Sequence, residues 1–363
     1  MKNSKKTSAL TEKNGVEQPE SISDSVAKNL VSKRQQQVSA NELVSGIFAQ
    51  NITSLSRAIT LVESTNPEHQ KKAAEVVSAC ITKANNSVRI GITGVPGVGK
   101  STFIEAFGKY LTGIGKKVAV LAVDPSSSLS HGSILGDKTR MEELVKDENA
   151  YIRPSASGET LGGVARKTRE TITLCEAFGF DTIIIETVGV GQSETAVHGM
   201  TDFFLLLQIS GAGDELQGIK RGIMEMADAI VISKADGDNV NKARLAKTEF
   251  GRALHFFPEK VSGWMPKATT CSAITKEGIP EVWEIISAYL NLTKENGFFA
   301  KRRSEQNLDW MFEAVNEQLK MRFYSDPDIA ALVETLSVDL LGNRISSFGA
   351  AGVLLERYFT KNS

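Results

Sequence analysis

Eight consecutive residues, Gly94-Val95-Pro96-Gly97-Val98-Gly99-Lys100-Ser101, carry the strongest chemical signal in the chain. They fit the spacing GxxxxGK[ST], in which glycines let successive backbone N–H groups curl round a phosphate. An apolar run, Val88–Thr93, precedes them and a helical pattern over 101–114 follows. The helix N-terminus then adds positive potential at the loop. Lys100 is spaced to reach β- and γ-phosphates, and the Ser101 hydroxyl to ligate Mg²⁺. The glycines run GxxGxG and not GxGxxG, which weighs against a dinucleotide fold.

A second cluster addresses the base. Ser233-Lys234-Ala235-Asp236 follows the apolar run Ala229–Ser233 and is similar to the guanine motif NKxD, with Ser for Asn. A carboxylate at Asp236 can accept from both guanine N1–H and the 2-amino group. Adenine offers neither donor, so the same carboxylate disfavours ATP by leaving a desolvated charge unpaired. The stem of Lys234 would cover the base face. Cys271-Ser272-Ala273 resembles the SA loop whose backbone N–H meets guanine O6.

Acids come next. Asp124 follows the run Lys117–Val123, and Glu186 ends the run Thr182–Glu186. Carboxyl ends of strands are where open α/β sheets hold their ligands. Glu186-Thr187-Val188-Gly189 takes the place of a DxxG motif, so the Gly189 N–H could sense a γ-phosphate. Asp137 is a further candidate for metal or water positioning. Two loops, Gln192-Ser193-Glu194 and Gly211 to Lys220, are Gly-rich or charged and border the same region. Such loops can order or disorder with the γ-phosphate; a plain connection is the alternative for each.

Other residue types point away from chemistry. His69, His131, His198 and His255 are scattered with no HExxH pair, and read as structural or surface residues. Trp264, Trp283 and Trp310 read as packing residues. Cys80, Cys175 and Cys271 are odd in number and form no CxxC. That excludes a disulfide framework or thiolate zinc site and predicts a reducing compartment, the cytoplasm. The 42 Lys and Arg nearly balance the 43 Asp and Glu among 363 residues. The near-zero charge argues against broad electrostatic grip on nucleic acid or anionic lipid, so neither a nucleic acid nor a membrane is expected as partner. No run of 18 apolar residues occurs, and the N-terminus lacks an apolar signal core.

The elements that must position these groups follow from periodicity. Residues 1–38 are polar and read as a disordered tail. Residues 39–86 carry Leu43, Ile47, Ile52, Leu55, Ala58, Ile59 and Leu61, then Ala73, Val76, Val77, Cys80 and Ile81, at helical spacing. That predicts two or three short helices, the last over about 68–85. Residues 87–293 alternate strand and helix, with seven candidate strands ending in Thr269–Ser272. Continuous Val/Ile/Leu runs mark strands buried on both faces. The fold class is therefore α/β, a P-loop NTPase with a doubly wound, mostly parallel sheet. Residues 294–363 read as three helices, one marked by Leu308, Met311, Phe312, Val315, Leu319 and Phe323. They must pack on the α/β domain or on a second subunit.

These residues together resemble the MeaB/ArgK/MMAA-type GTPases, of the SIMIBI class of P-loop GTPases, over roughly residues 40–360. The marks are GVPGVGKST, LAVDPSSSLSHGSILGDKTRM, IRPSASGETLGGVA, IIIETVGVGQSE and SKADGDN, and most specifically SGAGDELQGIKRGIMEMAD. The resemblance implies a GTPase that is slow alone and is stimulated by an adenosylcobalamin-dependent methylmalonyl-CoA mutase or a related acyl-CoA mutase. It implies gating of cofactor loading, protection of the loaded mutase, and homodimers built on the C-terminal helices. By motif, Lys100, Ser101 and Thr102 should bind phosphates and Mg²⁺, with Asp124 and Glu186 in the metal shell. Gln192 and Glu194 should belong to one switch loop, and Lys220 to a further switch facing the client. Two departures stand out: Ser233 replaces the usual Asn, and Ser347-Phe348-Gly349-Ala350 replaces a Pro-Tyr-Ala-Ala-like segment. Two alternatives are a kinase linked to arginine/ornithine transport and a nickel-insertion GTPase. No acceptor pocket with a base is visible for the first, and no His-rich or Cys-pair segment for the second.

Overall fold

The computed structural model describes residues 38–84, 87–123, 141–154, 161–187, 193–211 and 221–361. The tail residues 1–37 lie outside them, as do Asp124, Asp137, Gly189, Gln192 and Lys220. Seven strands form one sheet: β1 Val88–Gly94, β2 Val118–Val123, β3 Ala150–Arg153, β4 Thr182–Thr187, β5 Phe203–Gln208, β6 Ala229–Ile232 and β7 Lys267–Thr270. Their order is β3-β2-β4-β1-β5-β6-β7, and every neighbouring pair is parallel. Every residue of β2, β4, β5 and β6 is buried, as continuous apolar runs require when helices cover both faces. The last strand begins two residues earlier than its sequence pattern suggests. Ser272 has left the ladder, because its N–H donates to Glu277 O at 2.9 Å.

Two helical layers enclose the sheet. On one face Phe103 and Phe107 of helix Lys100–Gly113 and Ile286 and Tyr289 of helix Ile279–Glu295 pack against Ile92, Phe203 and Leu205. On the other, Val164 and Cys175 of helix Leu161–Phe178 cover Leu121, Ile185 and Phe204. Three short helices, Ala40–Phe48, Ile52–Glu63 and Pro67–Cys80, complete that second layer. Their starts follow local rules: Ser39 and Glu42 form a capping box, Asn51 and Asn66 cap the next two, and Pro67 opens the third. The third tightens into a 3-10 turn at Ile81–Lys83, which swings Ile81 into solvent.

The C-terminal helices are Phe298–Tyr324, Pro327–Leu341 and Ser347–Lys361. The first lies on the core by its polar face. Arg303 Nε and Nη2 donate to Asp202 at 2.7 and 2.6 Å, and Gln306 Nε2 donates to Thr201 O at 2.9 Å. Arg89 bonds Glu176 at 2.9 and 3.0 Å, and Arg303 lies 3.5 Å from the same carboxylate. The Trp310 ring sits beside the guanidinium groups of Arg89 and Arg169. The apolar face is left to solvent: Leu308, Phe312 and Leu319 are 57%, 61% and 56% exposed. Of the two packing options for this face, its own α/β domain is therefore not the one used. Phe348, in the segment that departs from the family pattern, is 92% exposed.

Candidate functional site

The phosphate loop joins β1 to helix Lys100–Gly113 at the carboxyl edge of the sheet, next to the central strands. Its backbone demands glycine at two places for different reasons. Gly99, the N-cap, has φ 92°. That left-handed conformation disfavours any residue with a Cβ. At Gly94 a Cβ would fall 2.6 Å from Leu207 O of the neighbouring strand. Val98 is buried beneath the loop and Val95 half-buried, while Pro96, Gly97 and Thr102 face solvent. Lys100 folds back over the loop, its Nζ donating to Gly94 O at 2.9 Å. Burial pushes the Lys100 ammonium below its ordinary range, against the pull of Glu186 and Glu194. Both carboxylates are buried, at 4% and 6% exposure. The fold thus brings together Lys100, Glu186 and Glu194 from three separate segments.

The residues expected from the sequence to read a base reach the same loop. The Ser233 hydroxyl, buried, lies 2.9 Å from Val98 O and 3.1 Å from Gln208 O. It therefore performs a tether between phosphate loop and sheet that needs no longer side chain. Lys234, in left-handed conformation with φ 57°, lays its stem across the loop, and its Nζ donates to Gly97 O at 2.8 Å. Asp236 accepts from the Ser272 hydroxyl at 2.5 Å through Oδ2. Ser272 Oγ in turn accepts from Thr275 N at 3.1 Å, and Ala235 N donates to Cys271 O at 3.0 Å. These bonds join the β6 and β7 loops. Ala273 is half-buried against the core.

Three further features have only faint sequence signals. Asn239 donates to Lys234 O at 2.7 Å and accepts from Ser210 at 2.5 Å, bracing the loop after β6 from behind. Thr187 donates to Thr93 at 2.9 Å beneath the phosphate loop, both buried. Gln208 is fully buried, and its side-chain amide finds no partner among the described residues. A polar residue closing the run Phe-Phe-Leu-Leu-Leu was its one signal. Hard oxygen donors at Ser101 and Glu186, beside a lysine on a ring of amides, suit Mg²⁺ and a phosphate chain by donor chemistry. Among the described residues no cluster of three or more His, Cys, Asp or Glu forms a metal cage of its own. That is compatible with Mg²⁺, which usually takes one or two carboxylates plus phosphate oxygens and waters.

Comparison with known proteins places this geometry among relatives. Residues 55–328 match the family model described as methylmalonyl Co-A mutase-associated GTPase MeaB. The chain is 47% identical to GTPase ArgK of Escherichia coli (strain K12) over 274 residues, 76% of this chain and 83% of that protein. It is 43% identical to the mitochondrial methylmalonic aciduria type A homolog of Mus musculus, over 89% of this chain and 80% of that one. Among solved structures it resembles one titled LAO/AO transport system kinase, with TM-score 0.70 and 36% identity. That match covers 89% of this chain and 98% of the other. No helix among the described residues is long and apolar enough to cross a membrane.

Proposed function

This chain belongs to the MeaB family of methylmalonyl-CoA mutase-associated GTPases, and from that premise we propose that it binds and hydrolyses GTP with Mg²⁺ in the service of an adenosylcobalamin-dependent acyl-CoA mutase. One observation carries the nucleotide assignment. The carboxylate that would read guanine, Asp236, is pinned by Ser272, while the adjoining Lys234 is bonded to the phosphate loop itself. Base and phosphate are thus read by one connected structure. Ser272 N–H already donates to Glu277 O, which leaves the Ala273 N–H for guanine O6.

In the reaction, water attacks the γ-phosphorus, the bond to the β–γ bridging oxygen breaks, and GDP and phosphate leave. Such catalysis is mostly positioning and charge stabilisation. Lys100 would leave Gly94 O to donate to the β- and γ-oxygens, and Gly94 to Thr102 would wrap the phosphates. Ser101, Asp124 and Glu186 would hold the Mg²⁺, which when bound neutralises charge on those oxygens. Asp137 would orient water or metal. Gly189, Gln192 and Glu194 would respond to the γ-phosphate, and Lys220 would pass that response to the mutase. The gating of cofactor loading and protection of the loaded mutase follow from this coupling. The exposed apolar face of helix Phe298–Tyr324 supports a homodimer. Leu319→Glu is expected to shift the light-scattering mass from dimer to monomer, with nucleotide binding retained.

Asp236→Asn tests the base assignment. It is expected to reverse the preference from GTP to xanthosine triphosphate; an unchanged preference would refute it. The kinase title of a structural relative keeps one second reading in view. With γ-labelled GTP, free phosphate supports hydrolysis, and label on a protein or amino acid supports phosphoryl transfer.

A further inference from the structure

The edge of the sheet opposite the phosphate loop holds a cavity of about 770 Å³. Small-molecule sites span roughly 300–1,000 Å³. The cavity lies between the segment leading into β7, helix Arg221–Met226 and the start of helix Phe298–Tyr324. Met226, Leu254, Phe257, Trp264, Met265 and Phe298 make its apolar walls.

Its polar groups fall into two kinds. The Lys260 ammonium is saturated by Met226 O, Ala227 O and Asp228 Oδ1, at 2.9, 2.8 and 2.7 Å. Asp228 Oδ2 is occupied as well, accepting from Phe204 N at 2.9 Å. That pair closes on itself. Arg302 does not. Its Nη2 lies 3.2 Å from His198 Nε2 and donates to His198 O at 3.3 Å, and the guanidinium also hydrogen-bonds the Tyr289 side chain, so all these partners are neutral. A guanidinium only donates, so Nε2 accepts and the ring proton sits on Nδ1. The ring is neutral, because burial and then the Arg302 charge push its pKa down to about 4. Among the described residues, no carboxylate pairs with Arg302, whereas the adjacent Arg303 pairs with Asp202 and Arg89 with Glu176. The lining carboxylates Glu225 and Glu259 stand exposed at the rim. A half-buried guanidinium against apolar walls, with no counter-ion, favours an anion that brings its own apolar body.

We propose that this cavity is a second ligand site, taking a small organic carboxylate whose charge meets Arg302 and whose chain lies on the Met226–Met265 wall. The site also has a lever on the nucleotide. His198 ends helix Ser193–His198, and Glu194 in the first turn of that helix acts on Lys100. A carboxylate that draws Arg302 from His198 acts on the helix whose Glu194 charge bears on Lys100. Occupancy of either site then alters affinity at the other by the same factor.

The test uses the full chain with 1-anilinonaphthalene-8-sulfonate as reporter and hexanoate as competing ligand. Hexanoate is expected to displace one equivalent of reporter, and hexylamine none. Arg302→Gln is expected to weaken hexanoate at least tenfold. Gly222→Phe should abolish its binding, since Gly222 lines the cavity and a Cβ there meets no atom within 4 Å. Circular dichroism checks that both variants fold. Hexanoate binding unchanged in both folded variants, or equal displacement by hexylamine, would overturn the site. Saturating hexanoate is expected to shift the affinity of a fluorescent GDP analogue in the unsubstituted protein and not in Arg302→Gln. The same affinity with and without hexanoate would overturn the lever. None of these readouts requires GTP hydrolysis.

Discussion

At the amino edge of the sheet, Arg89, Glu176, Asp202 and Arg303 saturate one another, whereas at the carboxyl edge Lys100 has one carbonyl partner and the Gln208 amide has none among the described residues. The first set and Gln208 are buried, and Lys100 is half-buried. The first ties helix Phe298–Tyr324 to Thr201 and Asp202, just before β5, and to Glu176 of helix Leu161–Phe178, which also holds Arg89 of β1. Burial tends to raise the Glu176 pKa, but Arg89, Ser87 and Arg303 outweigh it and hold the carboxyl below its usual range. Charges that meet opposite charges in this way are finished structure, although Gln306 Oε1 beside them finds no partner among the described residues. A network with donors in hand is one that a ligand completes, because an unmatched buried group costs free energy until something meets it.

The contrast breaks first at Lys100. Lys100→Ala is expected to lower GTP hydrolysis at least about a hundredfold. The thermal midpoint should fall less than in Arg303→Met, since Lys100 makes one hydrogen bond, to Gly94 O, and no close ion pair among the described residues. A collapse of the fold instead would show that Lys100 belongs to the finished kind. Arg303→Met should do the reverse. It leaves Asp202 and Glu176 short of a buried counter-charge, and should cost about 3–5 kcal/mol in urea unfolding. Hydrolysis per folded molecule should be unchanged.

A smaller effect concerns the helix that joins the two edges. His198 is neutral in the fold down to about pH 4, but protonates near its ordinary 6.5 when unfolded. The unfolded chain therefore binds more protons between those values. The stability tied to His198 is complete above about pH 6.5 and drains away as pH falls toward 4, by up to about 3 kcal/mol. His198→Gln should flatten that part of the stability profile. An identical profile in the variant would place the ring in solvent.

Much of this molecule was legible in the chain itself. Seven apolar runs became seven strands, and the helix expected over 101–114 runs Lys100–Gly113. The phosphate loop was legible because its signal is local: a few glycines, a lysine and a hydroxyl within eight residues. The Ser233 departure was visible in the chain as Ser for Asn, but its two acceptors, Val98 O and Gln208 O, were not. The C-terminal helix shows where periodicity stops. Leu308, Phe312 and Leu319 mark a helix face correctly, but not what covers it. The opposite face, with Arg303, Gln306 and Trp310, is the one on the core.

By itself the sequence determined the strand–helix alternation, the loop built for phosphate and the acids at strand ends, since each depends on neighbours only a few positions away. The tertiary structure alone decided the strand order, the approach of Glu194 to Lys100 and the closure of Arg89 and Arg303 on shared carboxylates. It also left Arg302 without a counter-charge among the described residues, one position from its paired neighbour. Those outcomes depend on which distant segments lie side by side, and that is set by burying both faces of a parallel sheet at once.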